Sequence, residues 1–137
     1  MNQSVKALDD IVVLDLSTSI AAAWCTRLFA DFGAKVVIIE PPEGNPLRHV
    51  YPDYPEGSNL LIDHLLSNKK SLQLDIESTD GRALFLDLIA KCDVIVENSV
   101  PSQLEKYELS FNDLHNSFPD LVVLSITPYG QANEYSF

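Results

Sequence analysis

The chain has 137 residues and 46% hydrophobic side chains, enough for one core and too short for two ordinary domains. Nine basic against twenty acidic side chains give a net charge of -11, which argues against a nucleic acid or an anionic membrane surface as the main partner. The opening Met-Asn-Gln-Ser-Val-Lys carries no apolar signal region, and no apolar run approaches the roughly 18 residues of a membrane span, so a soluble cytoplasmic protein is expected.

Ile11 to Leu16 is a short apolar run of the kind a strand buried on both faces needs, and Val36 to Ile39 is a second. Between them Ala21, Trp24, Cys25, Leu28, Phe29 and Phe32 recur at helical spacing, which predicts a helix with Thr26, Arg27 and Asp31 on its outer face. Ser17, Thr18 and Ser19 are candidate N-caps, and Gly33 can take the left-handed conformation that ends a helix. A strand, helix, strand unit crosses over right-handed and sets the helix N-terminus at the carboxyl edge of the sheet, where open α/β folds hold anions. The loop from Ser17 to Ala21 is therefore the first place to look for a site.

After Pro41-Pro42 a long excursion broken by Gly44, Pro46, Pro52, Pro55 and Gly57 is expected, with a short helix from Asn59 to Leu66 over the sheet edge. Ser71 to Asp75 alternates apolar and polar residues and predicts a half-exposed strand. Ser78 caps a helix running to Lys91, with Asp80 in its first turn and Phe85, Leu88, Ile89 and Cys92 turned inward. Asp93 to Asn98 reads as a buried strand, and Pro101 opens a helix through Tyr107. Ser110 starts a further short helix with Phe111, Leu114 and Phe118 inward, and Leu121 to Ile126 is the last strand. The alternation predicts an α/β fold, a parallel sheet with helices on both faces. Cys25 and Cys92 fall on apolar helix faces and show no metal or disulfide spacing, so both are expected as reduced core residues and no metal is expected.

A dinucleotide fold would place G-x-G-x-x-G after its first strand, and Ser17 to Ala23 contains no glycine. Glu40, ending the second strand, could meet a ribose or could be a solvated or capping group. A phospho-acceptor domain wants paired carboxylates after the first strand, where Asp15 stands alone, and a lysine ending the last strand, where Ser125-Ile126-Thr127-Pro128 has none. His49, His64 and His115 read as surface groups, and Asp75 and Asp93 as capping or solvated groups at strand borders.

The ordered set Val-Leu-Asp-Leu, Ala-Asp-Phe-Gly-Ala, Val-Val-Ile-Ile-Glu-Pro-Pro, Arg48, Asn68-Lys69-Lys70-Ser71, Leu74-Asp75, Asp80-Gly81-Arg82, Asp93 to Asn98, Pro119-Asp120-Leu121 and Gly130-Gln131 resembles the N-terminal part of a family III CoA-transferase. That group includes formyl-CoA, carnitine and bile-acid-inducible CoA-transferases and the α-methylacyl-CoA racemases. The resemblance covers nearly the whole chain. It implies a Rossmann-like large domain of which residues 1–137 form the N-terminal portion, in a larger fold whose subunits interlock as a homodimer. It implies coenzyme A as substrate, with an acyl-CoA and a carboxylic acid as partners.

By position, the resemblance sets the CoA contacts on Thr18, Ser19, Ile20 and Ala21, on Pro41, on Leu74 and Glu77, and on Asn98, Ser99 and Lys106, with Lys106 as phosphate partner. It also implies that the nucleophilic aspartate lies some tens of residues beyond Gly130-Gln131, so that this stretch alone is expected to be inactive. Ala22-Ala23 stand where the family usually has Gly-Pro, and Ile38 where it usually has lysine. Pro41 and Glu77 stand where some members carry basic residues. A degenerate structural or dimerisation copy, or an acyl-CoA racemase, are the alternative readings.

Overall fold

A computed structural model describes residues 6–49, 60–100 and 109–132. In chain order they form β1 (Val12–Asp15), α1 (Ile20–Asp31), β2 (Lys35–Glu40), a 3-10 turn (Pro46–His49), α2 (Leu60–Leu66), β3 (Lys70–Gln73), α3 (Thr79–Ile89), β4 (Val94–Glu97), α4 (Phe111–Ser117) and β5 (Val122–Ser125). The five strands make one parallel sheet in the order β3-β2-β1-β4-β5. This is the parallel α/β sheet expected from the alternation of elements, and the Rossmann-like architecture that the resemblance implies. The helix expected from Pro101 to Tyr107, and with it Lys106, lies outside the described residues, as do Pro52, Pro55 and Gly57.

The apolar runs are continuous because each central strand is covered twice. Val13, Val36, Val94 and Val96 face α1 through Ala22 and Ala30, while Leu14, Ile39 and Ile95 face α3 and α4 through Phe85, Ile89 and Leu114. Each such side chain contributes about 1.5–3 kcal/mol when fully buried. The edge strand β3 pairs only with β2 and is the most exposed of the five together with β5, in keeping with its alternating sequence.

Ser19 is the residue that caps α1, with extended backbone and its hydroxyl oxygen accepting from Ala22 N at 3.4 Å. Gly33 closes the helix at φ +109°, and a Cβ there would lie 2.5 Å from Lys6 Cβ, so both conformation and space require glycine. Ser78 caps α3 as expected. α2 packs against α1 and the 3-10 turn, through Ala23, Leu47, Ile62 and Leu65, rather than over the bare sheet edge.

The orientation of α1 is the main departure from the sequence reading. Its buried residues are Ala22, Ala23, Thr26 and Ala30, whereas Trp24 is 46% exposed, Leu28 43% and Phe32 57%. Two physical reasons oppose the larger residues. The β-branched side chains of β1, β2 and β4 fill the space above the sheet and leave its depth to alanines, with Phe29 packed half-buried at the margin as expected, and the Thr26 hydroxyl is bound to a buried ion pair beneath the helix. The two cysteines are free and half-buried, at the margins of the core rather than inside it. Burial raises both thiols above their ordinary pKa, that of Cys92 to about 11, which leaves them protonated and unreactive at neutral pH.

Candidate functional site

In the order 3-2-1-4-5 the direction of winding reverses between β1 and β4, and ligands of open α/β sheets bind outside the carboxyl ends of the strands at that point. Here the loops after β1 and β4 are tied together. Thr18 N donates to Asn98 Oδ1 at 2.6 Å, and Asn98 Nδ2 donates to Thr18 Oγ1 at 3.0 Å. Beside this clasp opens a cavity of about 530 Å³ whose floor is Leu16, Ile39 and Leu74. Thr18, Pro41, Pro46 and Ser99 form part of its walls, and Glu43, Asp75 and Glu77 bring carboxylates to its lining. The apolar floor suits a flat base, and the polar walls suit the groups attached to one.

The residues singled out in the sequence separate into three groups. Thr18, Pro41, Leu74, Glu77 and Ser99 line the cavity, and Asn98 holds Thr18 in place. Ser19, Ile20 and Ala21 form the cap and first turn of α1 and are not part of the lining; Ile20 is 40% exposed. Lys106 lies outside the described residues. Leu16, Ile39, Pro42, Glu43, Pro46, Asp75 and Ile76 also line the cavity without having been marked as site residues by the sequence; being strand-end or loop positions, they differ in no sequence feature from ordinary core, capping and turn residues.

Two buried carboxylates fix the walls. Asp15, at the end of β1, is fully buried; its Oδ1 accepts from Ser17 N at 2.9 Å, and its Oδ2 accepts from Thr26 Oγ1 at 2.6 Å and Lys69 Nζ at 3.0 Å. Lys69 also donates to Ala23 O and Thr26 Oγ1, so its fully buried ammonium has three partners. Burial pushes its pKa below the usual lysine value, and the Asp15 carboxylate opposes that shift.

Glu40, at the end of β2, is 4% exposed, contrary to a solvated role. Its Oε1 accepts from Arg48 Nη2 at 2.7 Å and Ser71 Oγ at 2.5 Å, and its Oε2 accepts from Arg48 Nε and Asn45 N, both at 2.9 Å. The Arg48 guanidinium, aided by Ser71 and Asn45, outweighs burial and holds the Glu40 carboxyl at about 2. Both oxygens are saturated, so Glu40 is not a ribose ligand. The two clusters meet at Asn45, which is buried and donates through Nδ2 to Ser17 O at 2.8 Å. The turns that carry Thr18 and Pro46 are thus held by one continuous polar network.

A third tie joins the end of β4 to the segment after β5. Glu97, 1% exposed, accepts from Ser99 N at 2.5 Å and from Gln131 Nε2 at 3.5 Å; Gln131 also donates to Ser125 Oγ and to Ser99 O. Ser99 is held in the cavity wall by this arrangement. Asp75 and Asp93 are caps, as expected, accepting from Glu77 N at 3.0 Å and Val12 N at 2.8 Å. His49, His64 and His115 are exposed and away from the cavity. Among the described residues no cluster of His, Cys, Asp and Glu could hold a metal ion, and no helix is long and apolar enough to cross a membrane.

The family model described as CoA-transferase family III matches residues 8–137. Succinyl-CoA--D-citramalate CoA-transferase of Chloroflexus aurantiacus is 36% identical over 131 residues, which are 95% of this chain and 33% of that protein. Formyl-CoA:oxalate CoA-transferase of Afipia carboxidovorans is 35% identical over 91% of this chain and 30% of its own length. Among solved structures, a CAIB/BAIF family protein from Brucella suis superposes with a TM-score of 0.87 at 31% identity, over 97% of this chain and 36% of that one. The chain spans about a third of the length of the curated relatives it matches.

Proposed function

Given that the chain belongs to CoA-transferase family III, we propose that it supplies the CoA-binding crevice of an enzyme that exchanges coenzyme A between an acyl-CoA and a carboxylic acid. The observation that carries this reading is the cavity of about 530 Å³ at the switch point of the sheet, lined by Thr18, Pro41, Leu74, Glu77 and Ser99. In this reading the adenine lies on Leu16, Ile39 and Leu74. Thr18, Ser99 and the backbone of the loops around them orient the nucleotide, with Asn98 as the clasp. Ser19, Ile20 and Ala21 contribute through the first turn of α1, and Lys106 meets a phosphate. Residues 1–137 form the N-terminal portion of the CoA-binding domain, the homodimer and the nucleophilic aspartate belong to the whole enzyme, and no metal takes part.

Isothermal titration of the full-length protein with CoA tests the reading: a saturable heat at micromolar to millimolar ligand supports it. Asn98→Ala, which opens the clasp, is expected to weaken binding severalfold with little loss of folding. No heat at millimolar CoA refutes the reading.

A second reading, a non-catalytic copy that serves dimerisation, is favoured by one observation. Ile20, Trp24, Leu28 and Phe32 form an exposed apolar row along α1, suited to a second copy of the chain. A full-length dimer that binds no CoA and dissociates on Trp24→Glu is the result expected from that reading. A dimer that binds CoA rejects it.

A further inference from the structure

Asn45 is buried, stands outside the cavity lining, and is bonded to both loops that frame the cavity. Its Nδ2 donates to Ser17 O at 2.8 Å, its backbone N–H donates to Glu40 Oε2 at 2.9 Å, and its Oδ1 accepts from Leu47 N at 2.9 Å. The loop after β2 carries Pro41, Glu43 and Pro46 into the lining, and the loop after β1 carries Thr18. The loop after β2 has internal bonds of its own, from Gly44 N to Pro41 O at 2.8 Å and from Arg48 N to Asn45 O at 2.9 Å. Among the described residues, the bond from Asn45 to Ser17 is the one hydrogen bond that joins the two loops.

We infer that Asn45 is a positioning residue for the nucleotide: its bridge to Ser17 sets Thr18 against Pro41 and Pro46, and CoA affinity depends on that bridge. The inference rests on the CoA reading above and adds to it a residue that touches no part of the ligand. The Ser17–Thr18 segment is gripped from two sides, by Asn45 at Ser17 O and by Asn98 at Thr18 N, at 2.8 and 2.6 Å. When either grip is lost the segment gains freedom that binding must remove, and this ordering cost lowers affinity. A net hydrogen bond corresponds to a factor of about two to ten in an equilibrium constant, so loss of the bridge should weaken CoA about fivefold. Once one grip is gone the segment is already loose, and losing the other costs less. The two losses therefore combine to less than their product, although Asn45 and Asn98 are not bonded to each other.

Asn45→Ser separates the bridge from the turn, because a serine hydroxyl accepts from the amide two residues on but is too short to reach Ser17 O. The test is isothermal titration of the full-length protein with CoA, for the parent, Asn45→Ser, Asn98→Ala and the double variant. Val94→Ala serves as control, since it loosens the buried start of β4, at the end of the strands opposite the cavity. The expected result is a Kd raised about fivefold by Asn45→Ser, a double variant weakened by less than the product of the two single factors, and an unchanged Kd in Val94→Ala. In the parent, CoA should slow amide hydrogen exchange in residues 16–19 and 44–48 together, a measurement that needs no variant to fold. A rise below about twofold in Asn45→Ser, single factors that multiply, a Val94→Ala effect as large as that of Asn45→Ser, or protection of one loop without the other overturns the inference and leaves the CoA reading standing. Failure of the parent to bind CoA at millimolar concentration overturns the CoA reading and the inference with it.

Discussion

Glu40→Gln removes one negative charge from a carboxylate that accepts four hydrogen bonds, two of them from Arg48. The folded carboxyl sits at about 2 against an ordinary value of 4.5, so folding favours the ionised form over the neutral one by on the order of 3 kcal/mol more than the unfolded chain does. Glu40 is nearly inaccessible, but the Arg48 side chain is 44% exposed and regains water when its partner is lost. The expected destabilisation at neutral pH is therefore about 2–3 kcal/mol. The direction with pH follows from the lowered folded value. Between about 2 and 4.5 the unfolded chain binds the extra proton, so the stabilisation is complete above about 4.5 and is lost as pH falls towards about 2. Urea denaturation of parent and variant from pH 7 to pH 2.5 measures both effects: the two stabilities should differ at neutral pH and converge as acid is added. A variant within about 0.5 kcal/mol of the parent at pH 7, with a parallel acid profile, would refute the assignment of Glu40 as the clamp of the second loop.

Two further perturbations address the layer beneath α1. Asp15→Asn leaves the fully buried Lys69 ammonium without its counter-charge and should cost about 3–5 kcal/mol, whereas Asp15→Leu combined with Lys69→Met should cost clearly less than the sum of the two single changes; a denaturation double-mutant cycle reads the coupling, and strict additivity would contradict a shared ion pair. Ala23→Leu should destabilise by about 1–3 kcal/mol through overpacking against Leu47, Ile62 and Leu65, while the larger truncation Trp24→Ala should cost under about 1 kcal/mol in the protein as described; thermal unfolding that reversed this ranking would return α1 to the orientation expected from its large apolar residues.

Much of the cavity could be read from local sequence because strand ends follow from local signals. The apolar runs of β1, β2 and β4 end at Asp15, Glu40 and Glu97, and in a parallel sheet those ends necessarily share one edge. Thr18, Pro41, Leu74, Glu77, Asn98 and Ser99, named by the resemblance, all lie at or just beyond such ends and so come to one edge. Ser19, Ile20 and Ala21 follow the same rule, yet the capped helix turns them along its axis and out of the lining. Asn45 left no signal. Its neighbours Gly44 and Pro46 announce only a turn, and its role depends on Ser17, 28 residues earlier in the chain.

The sequence by itself determined the order of the described elements, the cap at Ser78, the turn at Gly33 and the parallel sheet, and it narrowed the cap of α1 to Ser17, Thr18 or Ser19, since each rests on periodicity or on the conformational preference of a few adjacent residues. Tertiary structure decided which face of α1 is buried and what became of the charges. The helix presents alanines and Thr26 to the sheet because Asp15 lies 11 residues before Thr26 and Lys69 lies 43 residues after it, and all three must satisfy one another out of water. The same requirement commits Lys69 to Asp15 and Arg48 to Glu40. Composition supplies the charges, but only the fold assigns their partners, because a buried charge is tolerated only where a group distant in the chain arrives to compensate it.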